Sequence, residues 1–73
     1  MDAQTLEAVL KNHLAEMRQR LEQATGIAKA AEACANAGNI KKGIEIALDV
    51  EQLIYEVSTF LNAASMIHRI NKT

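Results

Sequence analysis

The sequence contains no proline and no tryptophan, a single cysteine, three glycines, one phenylalanine and one tyrosine. These shortages exclude several ways of building and using a small protein. With Cys34 alone, no disulfide can staple the chain to itself, although domains of this size commonly need a disulfide, a metal or a partner. A lone thiol points to a reducing compartment. One cysteine and two separated histidines, His13 and His68, do not supply the four ligands of a structural zinc site. Neither histidine completes the Glu-x-x-His pattern of carboxylate-bridged metal bundles, because Leu10 and Ser65 stand three residues before them. No apolar run approaches the roughly 18 residues needed to span a bilayer. No basic segment followed by an apolar one marks a signal peptide. A formal net charge of −1 leaves no global basic field to draw in nucleic acid or an anionic membrane. The expectation is a cytoplasmic protein with no metal, no cofactor and no membrane association.

Catalytic groupings are missing as well. No glycine-rich phosphate loop occurs. Ser58, Thr59 and Ser65 lack a general base at useful spacing. Cys34 lies among alanines, where a free thiol behaves as a small apolar residue; Lys29 and Lys41 are nearby cations, but no histidine or acid completes a dyad. The reading assigns no catalytic residue and no enzyme activity.

The residues that are abundant favour helix: Ala, Leu, Ile, Glu, Gln and Lys. The strongest punctuation is Asn36-Ala37-Gly38-Asn39, where Gly38 can take the left-handed conformation that ends a helix and Asn39 can cap the next. Gly26 is flanked by helix formers and reads as a tolerated small residue or a mild kink. The predicted elements are a helix over 3–36 with Asp2 as its cap, a turn at 37–39, and a second helix over 40–71. In the first helix a heptad stripe runs Leu10, Leu14, Met17, Leu21, Ala24, Ala28, Ala31, Ala35, with Leu6, His13, Arg20, Ile27 and Cys34 on its flank. The stripe is large up to Leu21 and mostly alanine beyond it. In the second helix one stripe runs Ile40, Gly43, Ala47, Val50, Ile54, Val57, Leu61, Ala64, and a neighbouring row runs Ile46, Leu53, Phe60, Ile67.

A short turn between helices of matched length predicts a single all-α domain over 1–73, an antiparallel two-helix hairpin of coiled-coil type, each arm about 45–50 Å long at 1.5 Å per residue. The predicted register sets Leu14 and Met17 near Leu61 and Phe60, Leu21 near Ile54 and Val57, and Ala28 and Ala31 near Ala47 and Ile46. The apolar arc of the second helix is wider than one partner helix covers. The row Ile46, Leu53, Phe60, Ile67, with Ile44 and Leu48, is therefore assigned to a second chain, either a copy of this one or a different protein, completing a helical bundle.

Leu14-Ala-Glu-Met-Arg-Gln-Arg-Leu-Glu-Gln-Ala24 and Val50-Glu-Gln-Leu-Ile-Tyr-Glu-Val-Ser-Thr-Phe-Leu-Asn-Ala-Ala64 resemble the small two-helix cochaperones that hold needle subunits of bacterial type III secretion systems. The likeness covers the body of the hairpin and includes no diagnostic motif. It implies a cytoplasmic complex with a larger helical-repeat cochaperone and the needle protein. Function is accordingly expected to be that of a protein-binding adaptor or cochaperone shielding apolar helical surface on a partner. The alternative is a structural homo-oligomer, a four-helix bundle of two hairpins. An RNA-binding regulator similar in architecture to the Rop type ranks below both, because Glu7, Glu16, Glu22 and Glu32 interrupt the basic residues Lys11, Arg18 and Arg20, and Phe60 is expected in apolar contacts rather than on a stacking platform.

Overall fold

Asp2 opens the first helix: its carboxylate accepts the backbone N–H of Thr5 at 2.7 Å, satisfying one of the donors that a helix N-terminus leaves without a partner. The structure is a computed structural model and describes residues 2–71. Among these the regular structure is entirely helical: α1 spans Ala3–Asn36, α2 Ile40–Ala47 and α3 Val50–Asn71. Gly26 lies inside α1 without interrupting it.

The turn works by local chemistry. Gly38 has φ +95°, the left-handed region that costs a residue with a Cβ. That conformation directs the Gly38 N–H to the carbonyl of Ala35 at 3.0 Å and the Asn39 N–H to that of Cys34 at 2.9 Å, closing the C-terminal carbonyls of α1. Asn39 then turns its side chain forward and accepts the Lys42 N–H at 3.1 Å, capping α2. One asparagine thus ends one helix with its backbone and starts the next with its side chain.

Beyond the turn the chain lies back along α1, giving a body of 54 × 15 × 12 Å. Cross-element pairs fall in antiparallel order: a Cβ built at Gly43 would meet Ala31 and Ala35, Arg20 bonds Glu56, and His13 meets Phe60. The rotational setting of the helices differs from the predicted one. On α1 the seam runs through Leu10, His13, Met17, Arg20, Ala24, Ile27, Ala31 and Cys34, all buried or half-buried and spaced alternately by three and four, with Leu6, Val9, Ala15, Glu16 and Ala35 half-buried beside it. The residues expected on the flank therefore form half of the seam, while Leu14, Leu21 and Ala28 of the expected stripe are exposed. On the second half of the chain the seam is Gly43, Ile46, Val50, Leu53, Val57, Phe60, Ala64 and Ile67. The row Ile46, Leu53, Phe60, Ile67 faces α1 instead of lying outside the contact, and Ile40, Ile54 and Leu61 are the exposed members. Both helices are rotated by one row because both apolar arcs are wider than a single helix–helix contact, so hydrophobic spacing alone admits two seams.

The second half is also not one straight helix. At Leu48–Asp49 the hydrogen-bond ladder tightens: Asp49 N–H reaches Ile46 O and Glu51 N–H reaches Leu48 O, each three residues back. The bend has a packing cause. Near the turn, Gly43 lets α2 approach so closely that an added Cβ would sit 2.7 Å from the Ala31 carbonyl oxygen. Farther along, Phe60 meets Arg20 and His13, and Leu53 lies beside Ile27, so the seams there carry much larger residues than at Gly43. Two separations along one straight helix are incompatible, and the tightened turn at 48–49 accommodates the change.

Candidate protein interface

The closed pair of seams encloses little. The buried apolar residues are Ala24 and Ala31, no large side chain is fully buried among the described residues, and Gly43 is the third buried position. The two edges of the seam are unlike, and further exposed apolar residues, Ile44, Leu48, Tyr55 and Met66, lie on the outer face of the returning chain.

On one side the seam is bordered by Glu16 and Gln23 of α1 and by Asp49 and Glu56 of the returning chain. Arg20 organises this side. Its Nε donates to Glu56 at 2.7 Å, and one terminal nitrogen donates to the Glu16 carboxylate at 2.6 Å and to the Glu16 carbonyl at 3.1 Å. Gln52 donates to the other Glu56 oxygen at 3.0 Å. The guanidinium also lies 4.6 Å from the centre of the Phe60 ring. Hydrogen bonding to Glu16, then Glu56, raises the Arg20 pKa above its ordinary value. Gln52 first and Arg20 second hold the Glu56 carboxyl below its usual value. His13 sits at the far end of this cluster: it donates Nδ1–H to Val9 O at 2.8 Å and meets Phe60 edge-on, ring centres 5.6 Å apart. These groups tie α1 to the returning chain and set register and rotation across the seam.

The other side is apolar. Leu14 and Leu21 of α1 are 59% and 43% exposed, and Ile54 and Leu61 of α3 are 45% and 51% exposed, all bordering the seam on the side away from Arg20. A hollow of about 450 Å³ beside them is lined by Leu14, Met17, Arg18, Leu21, Glu22 and Thr25. Of the residues assigned to a partner from sequence, Ile44 and Leu48 are exposed, whereas Ile46, Leu53, Phe60 and Ile67 are half-buried along α1. The sequence reading therefore missed Leu14, Leu21, Ile54 and Leu61 as outward residues. The polar edge formed by Glu16, Gln23, Asp49 and Glu56 is the signal that locates them, because a seam bordered by acids on one side leaves its surplus apolar rows on the other.

Among the described residues no group of three or more His, Cys, Asp and Glu gathers in one place. Cys34 is a free, half-buried thiol in the seam. Lys11 pairs with Glu7 at 3.0 Å and Arg18 with Glu22 at 2.9 Å, each one helical turn apart. No helix is long and apolar enough to cross a membrane among the described residues. No family model, curated protein or solved structure matches the chain.

Proposed function

We propose that this chain is a protein-binding helical module, an adaptor or cochaperone-like hairpin whose apolar side is covered by helices of another polypeptide. The observation that carries this reading is the contrast between what the chain encloses and what it exposes: alanines and a glycine are buried, while Leu14, Leu21, Ile54 and Leu61 line one continuous exposed side. An apolar strip of that length is a docking surface for an amphipathic helix. The ion pairs of Lys11, Arg18 and Arg20 with neighbouring acids favour a protein partner over a nucleic acid, since they offset the positive charge a phosphate backbone would need. A needle-subunit complex of the type III kind is one form such a partnership would take, through the two-segment likeness described above.

The test is native mass spectrometry of the tagged chain recovered from its own cells, alongside Leu14→Ser/Leu61→Ser. A stoichiometric helical polypeptide, either a further copy or another protein, that is lost in the double variant supports the reading. A monomer whose recovery and stability are indifferent to the double variant overturns it, as does stoichiometric RNA.

A further inference from the structure

We infer that the occupant of the apolar side is a second copy of this chain, placed by a two-fold axis that crosses both arms at the level of Leu21 and Ile54 and sets each arm antiparallel to its own counterpart. The inference rests on the protein-binding reading above and names the partner.

Area is the first argument. A compact monomer of 8.0 kDa exposes about 4,450 Å² by the usual size scaling. This chain exposes 5490 Å². The surplus over the whole elongated body is about 1,000 Å² per chain, so a pair that covered it would bury about 2,000 Å², at the upper end of the range of a standard stable interface.

Size complementarity is the second argument, and it selects the axis. On the exposed row of α1, Leu14 lies one heptad before Leu21 and Ala28 one heptad after it. A two-fold axis at Leu21 sets Leu14 of each copy over Ala28 of the other and Leu21 over its own counterpart. On the returning arm, Ala47 and Leu61 lie one heptad either side of Ile54, so an axis at Ile54 sets Ala47 over Leu61. The pairs Ala31–Gly43, Arg20–Glu56 and His13–Phe60 place Leu21 and Ile54 at one level along the body, so a single axis satisfies both rows. The other face-to-face arrangement, with the axis along the body, sets Leu14 over Leu61 and Ala28 over Ala47. Large residues would then collide at one end while a gap opened at the other, which close packing disfavours.

Charge agrees. Lys11 and Glu32 lie on the α1 edge of the apolar side, about equally far along the helix from Leu21 in opposite directions. The proposed axis brings Lys11, which pairs with Glu7 of its own helix, near Glu32 of the other copy as a second acid.

Sedimentation of the full-length chain, followed by single-cysteine cross-linking in a Cys34→Ala background, tests the inference. The expected result is a dimer in which Leu21→Cys oxidises to a disulfide-linked homodimer. A mixture of Leu14→Cys with Ala28→Cys chains should link several-fold more than a mixture of Leu14→Cys with Leu61→Cys chains, because a disulfide needs Cα atoms within about 7 Å. A dimer that links Leu14→Cys to Leu61→Cys instead overturns the axis. A monomer that forms a stoichiometric complex with a different helical protein overturns self-association while leaving the protein-binding reading standing. A monomer that binds no protein overturns both.

Discussion

Gly43 lies so close to Ala31 that a Cβ on Gly43 would fall 2.7 Å from the Ala31 carbonyl oxygen and 3.4 Å from the Ala35 Cβ. This close approach of the returning chain to α1 depends on hydrogen at one position and methyls at the other two. The neighbour at 2.7 Å is backbone, so it cannot swing aside.

Gly43→Ala should therefore destabilise the fold by about 1–3 kcal/mol, the usual cost of overpacking, despite the better helix propensity of alanine. Gly26→Ala should do the reverse. Nothing lies within 4 Å of a Cβ built there and the backbone is already helical, so a gain of up to about 1 kcal/mol is expected. Urea midpoints of the two variants, measured side by side at one protein concentration, check the pair. Equal shifts in the same direction would contradict the close approach.

Gly38→Ala should cost about 1–2 kcal/mol for a different reason. There is open space around Gly38, but its φ of +95° is unfavourable to any L side chain. Circular dichroism should report a lower melting temperature with unchanged helix content in the cold. Gly38→Asn should recover part of the loss, because asparagine tolerates this region better than alanine does.

Asp2 and Glu56 predict the acid limb of stability. The Thr5 N–H holds the Asp2 carboxyl below its usual value, and Gln52 with Arg20 does the same for Glu56. A carboxyl whose pKa is lower folded than unfolded contributes stability that is fully present above the unfolded value, about 4. That contribution is lost as pH falls through the lower, folded value. Stability should thus be level from neutral pH down to mildly acidic pH and then decline. Glu56→Gln should flatten part of that decline, whereas Lys11→Gln, at an exposed pair, should leave its shape unchanged.

Phe60 separates folding from association. Its ring lies in the seam against His13 and Arg20, so Phe60→Ala should cost about 2 kcal/mol, less than a fully buried phenylalanine would. Leu61→Ser, one residue along but on the exposed side, should mainly weaken self-association and show its effect on dilution. Unfolding curves at several protein concentrations check this. A Leu61→Ser defect independent of concentration would count against an interface on that side.

Cys34→Ala should be silent within about 1 kcal/mol, since the thiol is half-buried, has no second cysteine, and is replaced by another small apolar group. Thermal melts of the two proteins under reducing conditions check it. A loss of partner binding at unchanged stability would point to thiol chemistry.

What the sequence by itself determined is the local structure. Asp2, Gly38 and Asn39 act through hydrogen bonds to groups three to five residues away, so their roles can be read wherever those residue types occur at that spacing. Uninterrupted apolar periodicity likewise makes α1 a helix through Gly26. The tertiary structure decided which rows face inward. Rows such as Leu14–Leu21–Ala28 and His13–Arg20–Ile27 have the same spacing and flank the same central row, Leu10–Met17–Ala24–Ala31, from opposite sides, so periodicity cannot choose between them. The choice comes from contacts between residues far apart in the chain: the Gly43–Ala31 approach, which tolerates one rotation of α2, and the Arg20–Glu56 bond, which needs both side chains on the same edge of the seam. The same contacts introduce the bend at Leu48–Asp49 and move Phe60 inward and Leu61 outward, because a helix–helix separation is a property of the pair and belongs to neither helix alone.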